Sequence, residues 1–126
     1  MAAEVKPCLY VYGDYINSNA VAKVVKEDNV NKIPFEDRKK VYMNALITYG
    51  DRHQMIKCLE EMSECTKEIC KILNGGENFD HLAEEIADAT VTLEQMRLMF
   101  NINDRVCEYM DAKVQRLNDD LKKQFH

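Results

Sequence analysis

Proline is nearly absent from this chain, and its distribution limits the possible folds more than any other feature. Of 126 residues, two are proline, at Pro7 and Pro34, and four are glycine. Because an internal proline breaks a helix and a β-rich domain needs many tight turns, the proline-free stretch after residue 34 favours long helices. With 46% hydrophobic and 31% charged residues, those helices are expected to be amphipathic.

The apolar spacing after Pro34 predicts an all-α fold. Helices are expected at about 35–49, 52–73, 78–100 and 103–123. Their short connections would make neighbouring helices antiparallel. The predicted architecture is therefore an antiparallel helical bundle of about four helices.

The two ends of the chain differ in pattern. Residues 1–34 contain both prolines and many asparagines, and we expect them to form an irregular N-terminal arm, with short strands as an alternative. Residues 35–126 are expected to form the helical domain. The fourth predicted helix should bury one apolar stripe, which comprises Val106, Met110, Val114, Leu117 and Leu121.

Charge and hydropathy exclude several functional classes. The net charge is −5, whereas proteins that bind nucleic acids carry a basic surface, so we expect no nucleic-acid partner. No stretch approaches the eighteen apolar residues of a membrane span, which predicts no membrane partner. The N-terminus lacks a signal-peptide layout, so a cytoplasmic location is expected. The five cysteines include no C-x-x-C pair and fit no zinc site.

The second predicted helix has one apolar and one charged side. The apolar side is expected to face the core and comprises Leu59, Met62, Thr66, Ile69 and Leu73. The opposite side carries Lys57, Glu60, Glu61, Glu64, Glu68 and Lys71. Taken alone, such a side is typical of a helix surface that faces water.

The third predicted helix places carboxylates between apolar flanks. At 100° per residue, Glu85 and Asp88 lie within 60° of each other. Leu82 and Ala89 lie on one side of them, and Val91 lies on the other. Since an unpaired charge is costly to remove from water, carboxylates in this position need a partner.

The two helices together predict a candidate metal site. Each carries carboxylates three residues apart, Glu61 with Glu64 and Glu85 with Asp88, and a helical hairpin can bring the pairs together. Four close carboxylates repel one another, so they must stay hydrated, take up protons or bind a cation. Ligands that are all oxygen favour a hard cation, Mg²⁺ or Mn²⁺.

The same residues resemble a known family. Glu60-Glu61-Met62-Ser63-Glu64 matches the E-E-x-x-E motif of the MazG-type, all-α nucleoside triphosphate pyrophosphohydrolases. Glu85-Ile86-Ala87-Asp88 matches the E-x-x-D motif that follows it, after 20 intervening residues. The resemblance spans about residues 45–117. It includes Gln54 upstream and basic residues on the fourth predicted helix.

The resemblance implies a function and a set of roles. Such proteins hydrolyse a nucleoside triphosphate, ribo- or deoxyribo-, to the monophosphate and pyrophosphate, with Mg²⁺. By motif matching, the metal ligands would be Glu61, Glu64, Glu85 and Asp88. Glu60 would act in catalysis, as a second-layer carboxylate or as the base that orients water. Members of the family assemble as dimers or tetramers, so a homo-oligomer is expected.

Three basic residues are candidates to contact the substrate phosphates: Lys57, Lys113 and Arg116. The alternative hypothesis is a non-catalytic helical interaction module, in which the acidic side of the second helix is merely hydrated. The carboxylates between the apolar flanks of the third helix count against that alternative.

Overall fold

The computed structural model describes residues 33–125, and most of them belong to four α-helices. These are α1 (Phe35–Tyr49), α2 (Asp51–Leu73), α3 (Phe79–Met99) and α4 (Asn103–Gln124). No strand occurs in this part of the chain. The predicted all-α class is confirmed. The predicted N-terminal arm lies outside the described residues except for its last two positions.

A single glycine separates α1 from α2. Gly50 has φ of 87°, a backbone conformation that residues with a Cβ rarely adopt, and its N–H donates to the carbonyl of Leu46 at 2.9 Å. Asp51 is the first residue of α2, and no side chain caps this helix. The junction therefore depends on Gly50 rather than on a side-chain cap.

A tight turn reverses the chain between α2 and α3. Gly75 has φ of 94°, and the N–H of Gly76 donates to the carbonyl of Lys71 at 2.9 Å. The side chain of Asn78 then accepts a hydrogen bond from the N–H of His81 at 3.0 Å, which caps α3. This turn places the two longest helices of residues 34–103 side by side.

Helices α1, α2 and α3 form one compact unit, residues 34–103, and most of the packing within it is between α2 and α3. Gln54 near the start of α2 contacts Gln95 near the end of α3, and Glu68 near the end of α2 contacts His81 near the start of α3. These two pairs show that α2 and α3 run antiparallel, as predicted.

The side of α2 that faces α3 is its polar side, and not the apolar stripe that was expected to face the core. Buried residues on α2 are Gln54, Cys58 and Glu68, and on α3 they are Ala89, Thr92 and Gln95. The apolar stripe from Leu59 to Leu73 is exposed, and Leu73 retains 80% of its accessible surface. The prediction that this stripe packs in the core was therefore wrong within residues 33–125.

Hydrogen bonding explains why polar side chains can occupy the interface between α2 and α3. A buried amide or carboxylate is costly only when it lacks a partner. Gln54 pairs with Gln95, and Glu68 pairs with Lys71 and His81. The helix pair is thus specified by matched polar contacts, and a few small or apolar side chains fill the space between them.

Helix α4 belongs to a second compact unit and is described by itself. None of its residues is buried, and Val114, Leu117 and Leu121 each remain about half exposed. The prediction that α4 buries its apolar stripe was wrong for this structure. Across residues 33–125, no helix combines the length and apolar character needed to cross a membrane.

Candidate metal centre and adjoining cavity

Three carboxylates converge where α2 faces the middle of α3. Glu61 projects from α2, and Glu85 and Asp88 project from successive turns of α3. One oxygen from each lies within 4.8 Å of the others. We call these three residues the acidic trio. Their convergence follows from the i,i+3 spacing on α3 and from the antiparallel register that sets Glu61 opposite.

The donor set of the acidic trio suits a small hard cation. Mg²⁺ binds carboxylate oxygens at about 2.0–2.1 Å, so two ligands of one ion lie at most about 4.2 Å apart. The oxygens of the trio lie within 4.8 Å of one another, so side-chain movements of a few tenths of an ångström at each residue bring them to that separation. Glu61 and Glu85 each retain 13% of their side-chain surface, while Asp88 is exposed and leaves open positions for water or substrate.

The electrostatics of the trio favour an added positive charge. Burial, followed by the neighbouring carboxylate of Asp88, raises the pKa of Glu85 above its ordinary value. Glu61 and the nearby Glu64 raise this pKa further, and His81 opposes them. A proton or a cation is therefore more stable at this site than on an isolated carboxyl group.

Lys57 is the ammonium group nearest to the trio. Its Nζ lies 2.7 Å from Glu61 and 4.0 Å from Glu60. The hydrogen bond with Glu61 raises the pKa of Lys57, so the lysine stays charged. Within residues 33–125, Asp88 forms no ion pair. Lys57 thus neutralises one of three carboxylates and leaves a net negative charge.

A second charged group lies further along the same helix pair. Glu68 retains only 3% of its accessible surface and contacts Lys71 Nζ at 2.8 Å and His81 Nδ1 at 3.0 Å. The hydrogen bonds from Lys71 and then His81 hold the pKa of Glu68 below its ordinary value. We call Glu68, Lys71 and His81 the Glu68 node.

His81 connects the Glu68 node to the acidic trio. Its Nδ1 faces Glu68, and its Nε2 lies 3.3 Å from an oxygen of Glu85. The hydrogen bond with Glu68 raises the pKa of His81, which favours the imidazolium. With both ring nitrogens protonated, His81 donates to both carboxylates and orients Glu85, as outer-layer partners orient metal ligands elsewhere.

A cavity of about 400 Å³ opens beside the trio. Glu61, Asp88 and Lys57 line one part of it, and Val91 and Thr92 form a wall. This volume lies at the lower end of the usual range for small-molecule sites. All of its lining residues belong to the unit of residues 34–103.

Two buried amides and two aromatic rings line the rest of the cavity. Gln54 Nε2 donates to Gln95 Oε1 at 2.6 Å, and the Nδ1–H of His53 donates to Gln54 Oε1 at 3.0 Å. The rings of Tyr49 and His53 are stacked, with centroids 5.4 Å apart and an interplanar angle of 29°. The cavity therefore combines carboxylates, amides and a flat aromatic surface.

The other residues predicted for the site lie outside the trio. Glu60 and Glu64 are both exposed on α2, although Glu64 is close enough to affect the pKa of Glu85. Lys113 and Arg116 are exposed on α4, where Arg116 Nε lies 4.0 Å from Asp120. Since α4 is described by itself, these basic residues stay predictions as phosphate contacts.

The sequence interpretation did not identify Glu68, Thr92 and Gln95 as inward-facing, although their spacing is visible. Gln54, Glu61 and Glu68 recur every seven residues on α2, and Thr92 and Gln95 follow Asp88 at i+4 and i+7 on α3. Seven residues are close to two helical turns, so each set lies on one side of its helix. Two polar stripes with matching spacing on consecutive predicted helices could have indicated that these residues face each other.

Comparisons with protein-family models, with curated proteins and with solved structures each find no match to this chain. Interpretation of the site therefore rests on the geometry above and on the motif resemblance.

Proposed function

We propose that this protein is a Mg²⁺-dependent pyrophosphohydrolase of nucleoside triphosphates, with Mn²⁺ as a substitute metal. The observation that carries the proposal is the acidic trio at the edge of a cavity of about 400 Å³. The trio supplies hard oxygen ligands, and the cavity supplies space for an organic group beside them. The motif resemblance favours the same reaction.

The proposed reaction requires little covalent participation by the protein. The oxygen of water bonds to a phosphorus of the α–β anhydride, and the bond from that phosphorus to the bridging oxygen breaks. The products are the nucleoside monophosphate and pyrophosphate, and the proton lost by water passes to a carboxylate or to solvent. When bound, Mg²⁺ neutralises charge on the phosphates and lowers the barrier to attack.

Each acidic residue has a role in this proposal. Glu61, Glu85 and Asp88 hold the cation, and His81 keeps Glu85 oriented towards it. Glu64, one turn beyond Glu61, is the fourth proposed ligand and is close enough to affect the pKa of Glu85. Glu60 remains the proposed residue that orients or deprotonates water.

Lys57 has two alternative partners in the proposal. Without metal, its ammonium pairs with Glu61 at 2.7 Å. With Glu61 holding the cation, Lys57 would be free to contact the substrate phosphates in the adjoining cavity, which it lines. Lys113 and Arg116 on α4 are retained as further proposed phosphate contacts.

The exposed apolar stripe of α2 supports a homo-oligomer, dimer or tetramer, as part of the proposal. Contiguous apolar surface on a protein commonly marks an interaction site. The same stripe also favours the alternative function, a non-catalytic helical interaction module. The two functions differ in what they require of Asp88, which is essential to the first and irrelevant to the second.

A pyrophosphate-release assay tests the proposal. The protein is incubated with ribo- and deoxyribonucleoside triphosphates, with and without Mg²⁺, and the products are separated. We expect metal-dependent release of pyrophosphate and monophosphate in equal amounts. Asp88→Asn should lower the rate by about three orders of magnitude, because a ligand of the catalytic metal is lost.

Asp80→Asn provides a matched control, since it makes the same chemical change in the exposed first turn of α3. We expect that variant to retain normal turnover. Equal rates for wild type and Asp88→Asn would refute the site assignment. No metal-dependent release from any triphosphate, by folded protein, would refute the enzymatic function and leave the interaction module.

A further inference from the structure

At the end of the cavity formed by the buried amides, the side-chain amide of Gln95 has hydrogen-bond donors without a partner. Gln95 retains only 7% of its accessible surface and lines the cavity. Its Oε1 accepts from Gln54 Nε2 at 2.6 Å. Within residues 33–125, its Nε2 makes no hydrogen bond. An amide that is more than nine-tenths buried thus presents N–H donors towards the cavity.

The Gln95 amide ends a chain of hydrogen bonds that begins at the ring of His53. Gln54 Oε1 can only accept, so the His53 Nδ1 that faces it at 3.0 Å carries the hydrogen. Gln54 Nε2 then donates to Gln95 Oε1. Its oxygen already accepts from Gln54, so the groups of Gln95 without a partner in residues 33–125 are its N–H donors.

An aromatic surface lies on the same cavity. The stacked rings of Tyr49 and His53 line it, and both residues are exposed. A planar heterocycle can stack on such rings with little dependence on its identity. The aromatic pair therefore supplies affinity for a flat ring, and the amide supplies selectivity.

We propose that this cavity is the seat of the substrate nucleobase and that Gln95 selects bases with a carbonyl at C4 of a pyrimidine or at C6 of a purine, as in uracil, thymine, guanine and hypoxanthine. The inference rests on the proposed function, which places the triphosphate at the acidic trio on the same cavity. With the phosphates there, the base extends along the cavity towards Tyr49 and Gln95.

The preference follows from hydrogen-bond matching. The group at C4 of a pyrimidine, or at C6 of a purine, projects from the edge of the ring, and in this proposal it is the part of the base that meets Gln95. A carbonyl oxygen accepts from the amide N–H, whereas an amino group sets donor against donor and leaves both buried and unpaired. The Thr92 hydroxyl already donates to helix carbonyls, so its oxygen is free to accept from the ring N–H beside that carbonyl.

Binding of nucleoside monophosphates tests the inference without requiring turnover. Calorimetric titration in the presence of Mg²⁺ compares UMP with CMP and IMP with AMP, pairs that exchange a carbonyl for an amino group. We expect each carbonyl-bearing nucleotide to bind at least tenfold more tightly than its partner. Gln95→Met, which removes the donor at similar volume, should bring both ratios close to one.

A matched substitution, Gln115→Met, changes an exposed glutamine on α4 and should leave both ratios unchanged. Equal affinities within each pair for the wild type, tighter binding of CMP and AMP, or no binding of any monophosphate would overturn the inference. These outcomes need only wild-type protein, so they stand even if Gln95→Met does not fold.

The experiment also separates this inference from the proposed function. A carbonyl preference in binding together with absent triphosphate hydrolysis would retain the base seat and refute the enzyme. Metal-dependent hydrolysis without any base preference would retain the enzyme and refute the base seat.

Discussion

The same pair of helices holds two charged sites at which the pKa of a carboxylate shifts in opposite directions. At the Glu68 node, one buried carboxylate is flanked by Lys71 and His81, and its pKa is lowered. At the acidic trio, three carboxylates share Lys57 and the far side of His81, and the pKa of Glu85 is raised.

The difference lies in the balance of charge rather than in residue type. Positive partners of the node meet or exceed its single negative charge, so it is complete as a structural contact. The trio keeps excess negative charge beside a cavity, so it gains by binding a cation. Perturbed pKa values mark both places, but only the unbalanced one is a candidate for function.

The largest expected contrast between the two groups is their response to metal. With free Mg²⁺ a hundredfold above its Kd, binding to the folded state alone raises the free energy of unfolding by about 2.7 kcal/mol. We expect Asp88→Asn to lose most of that increment, because a ligand is missing. Glu68→Gln should keep most of it. Denaturant titrations with and without Mg²⁺ measure both, and equal loss in the two variants would erase the distinction.

The second contrast is stability without metal. Glu68→Gln removes the carboxylate between Lys71 and His81 and should lower Tm by roughly 5 °C, because two cations lose a shared partner. Glu85→Gln relieves repulsion within the trio and should leave Tm unchanged or raise it. Thermal melts in the presence of a chelator provide the measurement, with Glu84→Gln as the control on exposed surface of α3. A fall in Tm for Glu85→Gln as large as that for Glu68→Gln would contradict the comparison.

The third contrast is the pH dependence of stability, which has opposite signs for Glu85 and Glu68. The folded protein holds the Glu85 proton more tightly than the unfolded chain, so stability without metal falls as pH rises from about 4.5 through the raised pKa. Glu68 has a lowered pKa, so its contribution is complete above about pH 4.5 and is lost as pH falls through the folded value.

Denaturant titrations in chelator between pH 3.5 and about 6.5 measure this pH dependence, a range in which the raised pKa of His81 keeps the imidazole charged. Relative to wild type, Glu85→Gln should gain stability as pH rises. The deficit of Glu68→Gln should shrink as pH falls below about 4.5. Parallel curves for the two variants would show that the carboxylates do not differ.

The smallest expected effect concerns the basic residues of α4. Arg116 is exposed and pairs with Asp120 at 4.0 Å, so Lys113→Ala with Arg116→Ala should change the free energy of unfolding by less than about 0.5 kcal/mol. If these residues contact phosphates, KM for the Mg-triphosphate should rise by about tenfold with little change in kcat. Lys122→Ala on the same helix is the control, and an unchanged KM would remove Lys113 and Arg116 from the site.

The helices themselves were largely predictable from the sequence. The bounds of α1 match the prediction, and Gly50, Gly75 and Asn78 mark helix ends as their residue types indicate. These features depend on local backbone geometry, which a residue and its near neighbours determine. The face of α2 was not predictable in that way, because the apolar pattern identifies a stripe without identifying what covers it.

The candidate site was predicted in part for the same reason. Spacing on α3 placed Glu85 and Asp88 together, and the structure brings the predicted Glu61 of α2 to them and leaves the predicted Glu64 outside the trio. Spacing could not separate Glu61, which joins the trio, from Glu68, which lies about two helical turns further along α2 and is buried between Lys71 and His81. Both glutamates lie on the same side of one helix and each pairs with a lysine of that helix. Only the register of α3 decides that Glu68 meets His81, whereas Glu61 meets Glu85 and Asp88.

The sequence by itself determined that the described chain is helical, where its helices begin and end, and that carboxylates recur at spacings suited to a cation. Only the tertiary structure decided that a polar side of α2 meets a polar side of α3, and which carboxylates are balanced there. The physical reason is that helix formation is governed by interactions within a few residues. The charge state of a buried carboxylate depends also on groups brought to it from a different helix, as that of Glu68 depends on His81.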